Sequence, residues 1–117
     1  MNDVTQNSLE ENWSLLIDPS GYEHEAIIRF LQDNPDGRSV PYIRTAILLK
    51  PQLDYLAYDD YGSYYKKCLW ALQTISTPEA IELIKECASS DIPELREQAI
   101  YRLSKPPLSE LSREKAG

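Results

Sequence analysis

Several residue patterns that carry chemistry are missing from this 117-residue sequence. Histidine occurs once, at position 24, and the only two cysteines, Cys68 and Cys87, do not form a CxxC pair. The four glycines are scattered, so no glycine-rich loop could cradle a phosphate, and neither HExxH nor GxxxxGKS/T occurs. Zinc, redox and nucleotide sites therefore lack their usual sequence signals. We expect no enzymatic activity, no catalytic residue, no cofactor and no metal.

Long apolar runs are also missing. No stretch of about 18 apolar residues, the length that a membrane-spanning helix requires, is present. The first residues, MNDVTQNSLEENW, contain neither a basic nor a hydrophobic region, so we expect no signal peptide. Cys68 and Cys87 each fall on the apolar side of an expected helix, which favours two buried thiols in a reducing compartment over a disulfide. These features predict a cytoplasmic protein that does not contact membranes.

Positive charge is scarce, with 12 Lys and Arg against 19 Asp and Glu and a net charge of −7. Residues 1–37 alone carry −7, and residues 51–65 carry −3 through Asp54, Asp59 and Asp60. Nucleic-acid binding requires clustered cations, so we expect no nucleic-acid partner. An acidic surface attracts a partner with a basic surface, although a simply solvated face has the same composition.

Apolar residues recur with the 3.6-residue period of an amphipathic helix through most of the chain. The period predicts about six helices, at residues 8–17, 20–33, 39–50, 63–76, 77–88 and 93–104. Ser8 with Glu11, and Ser20 with Glu23, have the spacing of a capping box at a helix start, and Thr77 precedes a proline at the start of the fifth helix. No period-2 strand pattern occurs. We therefore predict a single all-α domain over residues 1–117, built from antiparallel helix pairs.

The same period predicts which side chains face the core. The expected inward residues are Leu9, Trp13, Leu16 and Ile17 in the first helix; Ala26, Ile27, Phe30 and Leu31 in the second; Tyr65, Cys68, Leu69, Leu72 and Ile75 in the fourth; and Leu95, Ala99, Ile100 and Leu103 in the sixth. His24 lies between two glutamates and is expected at the surface.

A helix–turn–helix interval recurs in the second half of the chain. Cys68-Leu69 and Leu72 align with Ala99-Ile100 and Leu103 when the sequence is shifted by 31 places. The interval includes Thr77-Pro78-Glu79-Ala80-Ile81, Pro93, Arg96 and Ala99. Because of these residues, the stretch 63–104 resembles a HEAT-like repeat of the short bacterial type. Residues 105–117 are expected to form a tail. The resemblance implies a short α-solenoid of stacked helix pairs that presents a surface to a protein partner, and an irregular helical bundle is the alternative architecture. It also implies that Ala99 permits close helix packing and that Arg96 occupies the position of the family's arginine.

Residues 53–65, LDYLAYDDYGSYY, combine tyrosines with aspartates. Tyrosine is enriched at binding hot spots, and a neighbouring carboxylate can bind Lys or Arg of a partner. The predicted partner-binding residues are Tyr55, Tyr58, Asp59, Asp60, Tyr61 and Tyr64. Two alternatives stay open: these tyrosines close a junction between helix pairs, or Asp59 and Asp60 bind a divalent cation.

Size, charge and this segment together predict a protein-interaction module that has no catalytic role. The most specific hypothesis is an acidic immunity or inhibitor protein that neutralises a cognate bacterial toxin, such as a basic nuclease, because carboxylates would speed capture of a basic partner. The alternatives are a scaffold or adaptor subunit of a larger complex and an accessory protein related to HEAT-like lyases.

Overall fold

A computed structural model describes residues 2–21, 23–53, 56 and 62–105, with only the backbone described for residues 2–7. Within these ranges the chain forms six α-helices and no strand, which confirms the all-α prediction. The helices are α1 (Asn2–Leu16), α2 (His24–Asp33), α3 (Val40–Leu49), α4 (Ser63–Ile75), α5 (Pro78–Cys87) and α6 (Pro93–Leu103). Short 3₁₀ turns at Gly37–Ser39 and Lys50–Gln52 lie before and after α3.

The predicted starts of α3, α4, α5 and α6 agree with the structure to within one residue, whereas those of α1 and α2 do not. The Thr77 hydroxyl accepts a hydrogen bond from the Ala80 amide at 3.2 Å, and Pro78 occupies the first turn of α5. The start predicted at Ser8 is wrong, because α1 begins at Asn2 and Ser8 lies inside the helix. The Ser20 prediction is also wrong: α2 begins at His24, and the Ser20 hydroxyl donates to Asp18 instead. Residues three apart are also neighbours inside a helix, so a Ser-x-x-Glu pattern does not by itself mark a start.

Helix α4 lies at the centre of the molecule. It packs against α2, α3, α5 and α6, and no other described helix contacts as many neighbours so extensively. Its buried residues occupy more than one stripe: Tyr64, Tyr65, Cys68, Leu69, Ala71 and Leu72. A helix that is covered on several sides buries most of its circumference, which explains why α4 has fewer polar positions than an ordinary surface helix.

Both cysteines are buried and are not joined by a disulfide, as expected. Burial raises the pKa of the Cys87 thiol to about 11, and the nearby Glu86 carboxylate acts in the same direction. The thiol of Cys87 is therefore protonated at neutral pH, and a protonated thiol is a poor nucleophile and metal ligand.

The inward side of α6 differs from the predicted one. Leu95 and Ala99 are buried as expected, but Ile100 and Leu103 are 54% and 41% exposed. Arg102 is buried in their place, with its guanidinium between the rings of Trp70 and Tyr101 at 4.4 and 4.6 Å. An arginine can bury its stem and its planar group when aromatic faces cover it, and hydropathy does not reveal such a position.

Two further inward predictions fail near the N-terminus, where Ile17 and Ala26 are exposed. His24, which was expected at the surface, is fully buried, and its Nε2 lies 2.9 Å from the carbonyl oxygen of Asp18. The neighbouring glutamates suggested exposure, but adjacent residues on a helix point in different directions. The turn between α1 and α2 supplies the hydrogen-bond partner that permits a buried imidazole.

Contacts between non-consecutive helices follow a consistent register. Arg38 and Pro41, around the start of α3, lie beside Pro78 and Glu79 at the start of α5. Farther along the same two helices, Arg44 forms an ion pair with Glu86 at 2.6 Å.

The pair α4 and α6 shows the same register. Gly62, just before α4, lies against Glu94 near the start of α6. Near the end of α4, the Gln73 amide donates to the carbonyl oxygens of Arg102 and Lys105, both at 3.1 Å. In both pairs, α3 with α5 and α4 with α6, the start of one helix lies next to the start of the other, and the two helix ends also lie side by side.

Candidate protein-binding surface

Five of the six predicted partner-binding residues lie outside the described residues: Tyr55, Tyr58, Asp59, Asp60 and Tyr61. Two leucines near the start of this segment are among the described residues. Leu53 and Leu56 are 2% and 6% exposed and belong to the core, and the Leu56 amide donates to the Leu53 carbonyl at 2.9 Å. The core therefore holds the chain where this segment begins, and the role of the five residues stays a prediction.

Tyr64, the sixth predicted residue, is fully buried. Its hydroxyl donates to the carbonyl oxygen of Ala46 at 3.2 Å, which links α4 to α3. Its ring packs edge-on against Tyr65, with the centroids 6.3 Å apart. This burial in the core does not favour a contact between Tyr64 and a partner, and its predicted role in binding stays a prediction. Tyr64 instead fits the alternative that some of the tyrosines close a junction between helices.

Gly62 fixes the other end of the segment. Its backbone has φ +74, a left-handed conformation that only glycine adopts without strain. A Cβ atom at this position would lie 3.1 Å from the Cβ of Glu94 on α6. Glycine thus serves two purposes here, because it permits the turn into α4 and the close approach of α6.

Substituting Gly62 tests this geometry. We expect Gly62→Ala to lower the free energy of unfolding by about 1–2 kcal/mol, the cost of a left-handed conformation for an L-residue. Gly21→Ala is the matched control, since Gly21 has no positive φ and its nearest non-neighbouring atoms are 3.6 Å from an added Cβ. Urea denaturation followed by circular dichroism measures both variants. If Gly62→Ala and Gly21→Ala have the same free energy of unfolding, the conclusion that position 62 requires glycine is wrong.

The acidic residues of the N-terminal third surround α1 and α2. Glu10, Glu11, Asp18 and Glu23 are exposed. Hydrogen bonds from the Ser20 hydroxyl and amide lower the pKa of Asp18, so its carboxylate is ionised throughout the physiological range. Other carboxylates of this region are partly neutralised by ion pairs: Asp33 with Arg29, Asp36 with Arg38 and Glu25 with Lys67. The acidic surface is therefore densest at α1 and the turn that follows it.

Several exposed apolar side chains lie on α4 and α6. Trp70 is 42% exposed, Tyr101 48% and Ile100 54%, with Leu103 beside them in sequence. Our sequence analysis missed this group because it placed Ile100 and Leu103 in the core. One signal was available: Trp70 does not fall on the predicted apolar stripe of its helix. Large apolar residues that gather on a surface often mark an interaction site.

A search for metal-binding groups finds none among the described residues, since no three His, Cys, Asp or Glu side chains come together there. None of the described helices is both long enough and apolar enough to cross a membrane. An open groove of about 600 Å³ lies between the starts of α3 and α5, lined by Val40, Pro41 and Pro78 with charged residues at its edge.

Comparison with known proteins does not add a family to these observations. The chain matches no protein-family model, no curated protein and no solved structure.

Proposed function

We propose that this chain is a protein-interaction module, without a catalytic role, whose helix pairs stack in a HEAT-like manner. Its helices would form two layers, α1, α3 and α5 in one and α2, α4 and α6 in the other. The start-to-start register of α3 with α5 and of α4 with α6 supports this arrangement, because repeated helix pairs place equivalent helices side by side in the same direction. A shortest dimension of 20 Å matches two layers of helices about 10 Å thick.

The residues that carry the family resemblance occupy suitable positions. Ala99 is fully buried in α6, where a small side chain allows neighbouring helices to approach. The Arg96 guanidinium donates to the carbonyl oxygen of Ser90 at 3.0 Å and so supports the turn between α5 and α6. Pro78 and Pro93 each stand in the first turn of their helices, where a missing amide costs nothing.

The observation that carries the functional part of the proposal is the concentration of carboxylates. The first 37 residues hold −7, and Glu10, Glu11, Asp18 and Glu23 are exposed there. Asp59 and Asp60 add charge to a tyrosine-rich segment whose flanks are buried in the core. Such a surface attracts a basic protein and accelerates its association. The most specific form of the proposal is an immunity or inhibitor protein that neutralises a basic bacterial toxin, in particular a nuclease.

Affinity capture from the native cell tests this function. The tagged protein serves as bait beside Asp59→Lys/Asp60→Lys, with Glu82→Lys/Asp91→Lys as a control of equal charge change at exposed positions. We expect the unmodified protein and the Glu82→Lys/Asp91→Lys control to capture a basic protein that the Asp59→Lys/Asp60→Lys variant does not capture. We also expect capture to weaken as the salt concentration is raised. Mass spectrometry identifies the partner. Capture that is unchanged in the Asp59/Asp60 variant would remove this segment from the interface.

A scaffold or adaptor is the second candidate, and the exposed apolar residues of α4 and α6 favour it. Trp70, Ile100 and Leu103 would bury apolar surface against a partner, and such contacts are much less sensitive to salt than ion pairs. The salt dependence of capture therefore distinguishes the two candidates. An inhibitor of a nuclease must also abolish the activity of the captured partner, whereas an adaptor need not.

A further inference from the structure

A second charged surface, opposite in sign to the first, crosses α2, α4 and the second half of α6. Its cations come from three separate parts of the sequence, so charge patterning along the chain does not reveal it. We call this surface the basic–aromatic strip and define it by seven residues: Arg29, Lys66, Lys67, Trp70, Tyr101, Arg102 and Lys105.

Two adjoining depressions establish that the strip is continuous between α2 and α4. The first, of about 310 Å³, is lined by Arg29, Gln32 and Lys67 together with Glu25, Ala26 and Ile28. The second, of about 220 Å³, is lined by Gln32, Ser63, Lys66, Lys67 and Trp70. Gln32 and Lys67 line both depressions, which therefore meet.

The aromatic residues continue the strip onto α6. The guanidinium of Arg102 lies 4.4 Å from the ring centroid of Trp70 and 4.6 Å from that of Tyr101. The Lys105 ammonium lies 5.2 Å from the same Tyr101 ring. Both rings are nevertheless about half exposed, with Trp70 at 42% and Tyr101 at 48%. Each cation is thus held beside an aromatic surface that a ligand can contact.

The strip is locally positive on an acidic protein. Its five cations face two carboxylates, Asp33 paired with Arg29 and Glu25 paired with Lys67, which leaves a local charge of +3. Within the part of the chain that the structure describes, Lys66 and Lys105 form no ion pair. Glu97 stands one helical turn before Tyr101, and Glu94 stands nearer the start of α6, so carboxylates border the strip on that side.

Arg102 retains an unused donor. Its side chain is 6% exposed and donates to the Gln73 side-chain oxygen at 3.1 Å, but its Nε has no hydrogen-bond partner among the described residues. A buried unpaired donor on a charged group is costly in a folded protein. An anionic group bound on the exposed sides of Trp70 and Tyr101 would lie close to the positive charge of this guanidinium and would be stabilised by it.

We propose that the basic–aromatic strip binds a short acidic peptide segment of a second protein. Carboxylates of the segment would pair with the exposed Lys66 and Lys105, the buried Arg102 would add positive charge beneath them, and apolar side chains of the segment would pack on Trp70 and Tyr101. A nucleic-acid strand fits less well, because its unbroken line of phosphates would extend from the strip onto the bordering glutamates and the acidic N-terminal third. The chain would then join a basic protein on one surface to an acidic one on the other, a role beyond that of an inhibitor alone.

Fluorescence polarisation of the full chain tests the strip independently of any basic partner. The probes are a labelled peptide that alternates Glu with Leu, its analogue with Gln in place of Glu, and oligothymidylate of matched length. We expect the Glu peptide to bind, the Gln analogue to bind at least about tenfold more weakly, and the oligothymidylate to bind more weakly than the Glu peptide.

Two variants and a control assign the binding to the strip. We expect Lys66→Glu to weaken the Glu peptide by about tenfold and Trp70→Ala by at least as much, since an exposed aromatic residue at the centre of an interface is a typical hot spot. Lys85→Glu on α5 makes the same charge change away from the strip and should leave binding unchanged. Circular dichroism establishes that each variant is folded. Equal binding of the Glu and Gln peptides, equal loss in Lys85→Glu, or tighter binding of the oligothymidylate would each overturn the proposal.

Discussion

Replacing Tyr64 with alanine is expected to lower the free energy of unfolding by about 3–5 kcal/mol, the range for removing a large aromatic side chain from a core. Tyr64 is the largest of the fully buried side chains, and it lies where α4 meets α3. Its removal leaves a cavity at a helix that four neighbours cover, so the surroundings cannot easily collapse into the space. Urea denaturation followed by circular dichroism measures the change.

The variant Tyr64→Phe separates the two contributions of this side chain. It keeps the ring and removes only the hydroxyl that donates to Ala46, so we expect a loss of about 1 kcal/mol. Because the hydroxyl is buried, partner capture by folded Tyr64→Phe should equal that of the unmodified chain. Two results would favour a role of Tyr64 in partner binding over a role in the core. One is a Tyr64→Ala protein as stable as the unmodified chain, and the other is a folded Tyr64→Phe protein that no longer captures the partner.

Leu72→Ala is expected to cost about 2–5 kcal/mol of unfolding free energy. Leu72 is fully buried in α4, on the stripe that the sequence period predicts. Leu48 on α3 provides the control, because it is 69% exposed and its truncation should change stability by no more than about 0.5 kcal/mol.

The measurement for this pair is the urea midpoint together with the slope of the transition, which shows whether both proteins unfold by the same two-state process. A Leu72→Ala protein as stable as Leu48→Ala would mean that the register of α4 is wrong. The comparison is independent of Tyr64, since the two residues lie about two turns apart on the same helix.

Our proposals assign the protein two binding surfaces of opposite charge, the acidic segment around Asp59 and Asp60 and the basic–aromatic strip. The first was predicted from composition, because its tyrosines and aspartates are neighbours in sequence. The second was not, because Arg29, Lys67 and Arg102 come from three different helices. Our sequence analysis expected no clustered cations because positive charge is scarce in the chain, but cations from different helices can lie together when the helices pack side by side.

The sequence by itself determined which segments are helical and, for α3 to α6, where each helix begins. Thr77, Pro78 and the 3.6-residue period act over a few residues, and this local chemistry is largely unaffected by the rest of the fold. The buried positions of Leu9, Trp13, Leu16, Leu72 and Ala99 follow from the same period.

Only the tertiary structure decided which borderline side chains are buried and which charges meet. Ile100 and Leu103 are exposed while Arg102 and His24 are covered, because the direction of a neighbouring helix or turn sets what each side chain touches. Helical periodicity predicts only a broad apolar side of a helix. The neighbouring helices and turns that pack against this side determine which of its residues are buried. The strip has the same origin, since the contacts between α2, α4 and α6 bring together cations that the sequence keeps far apart.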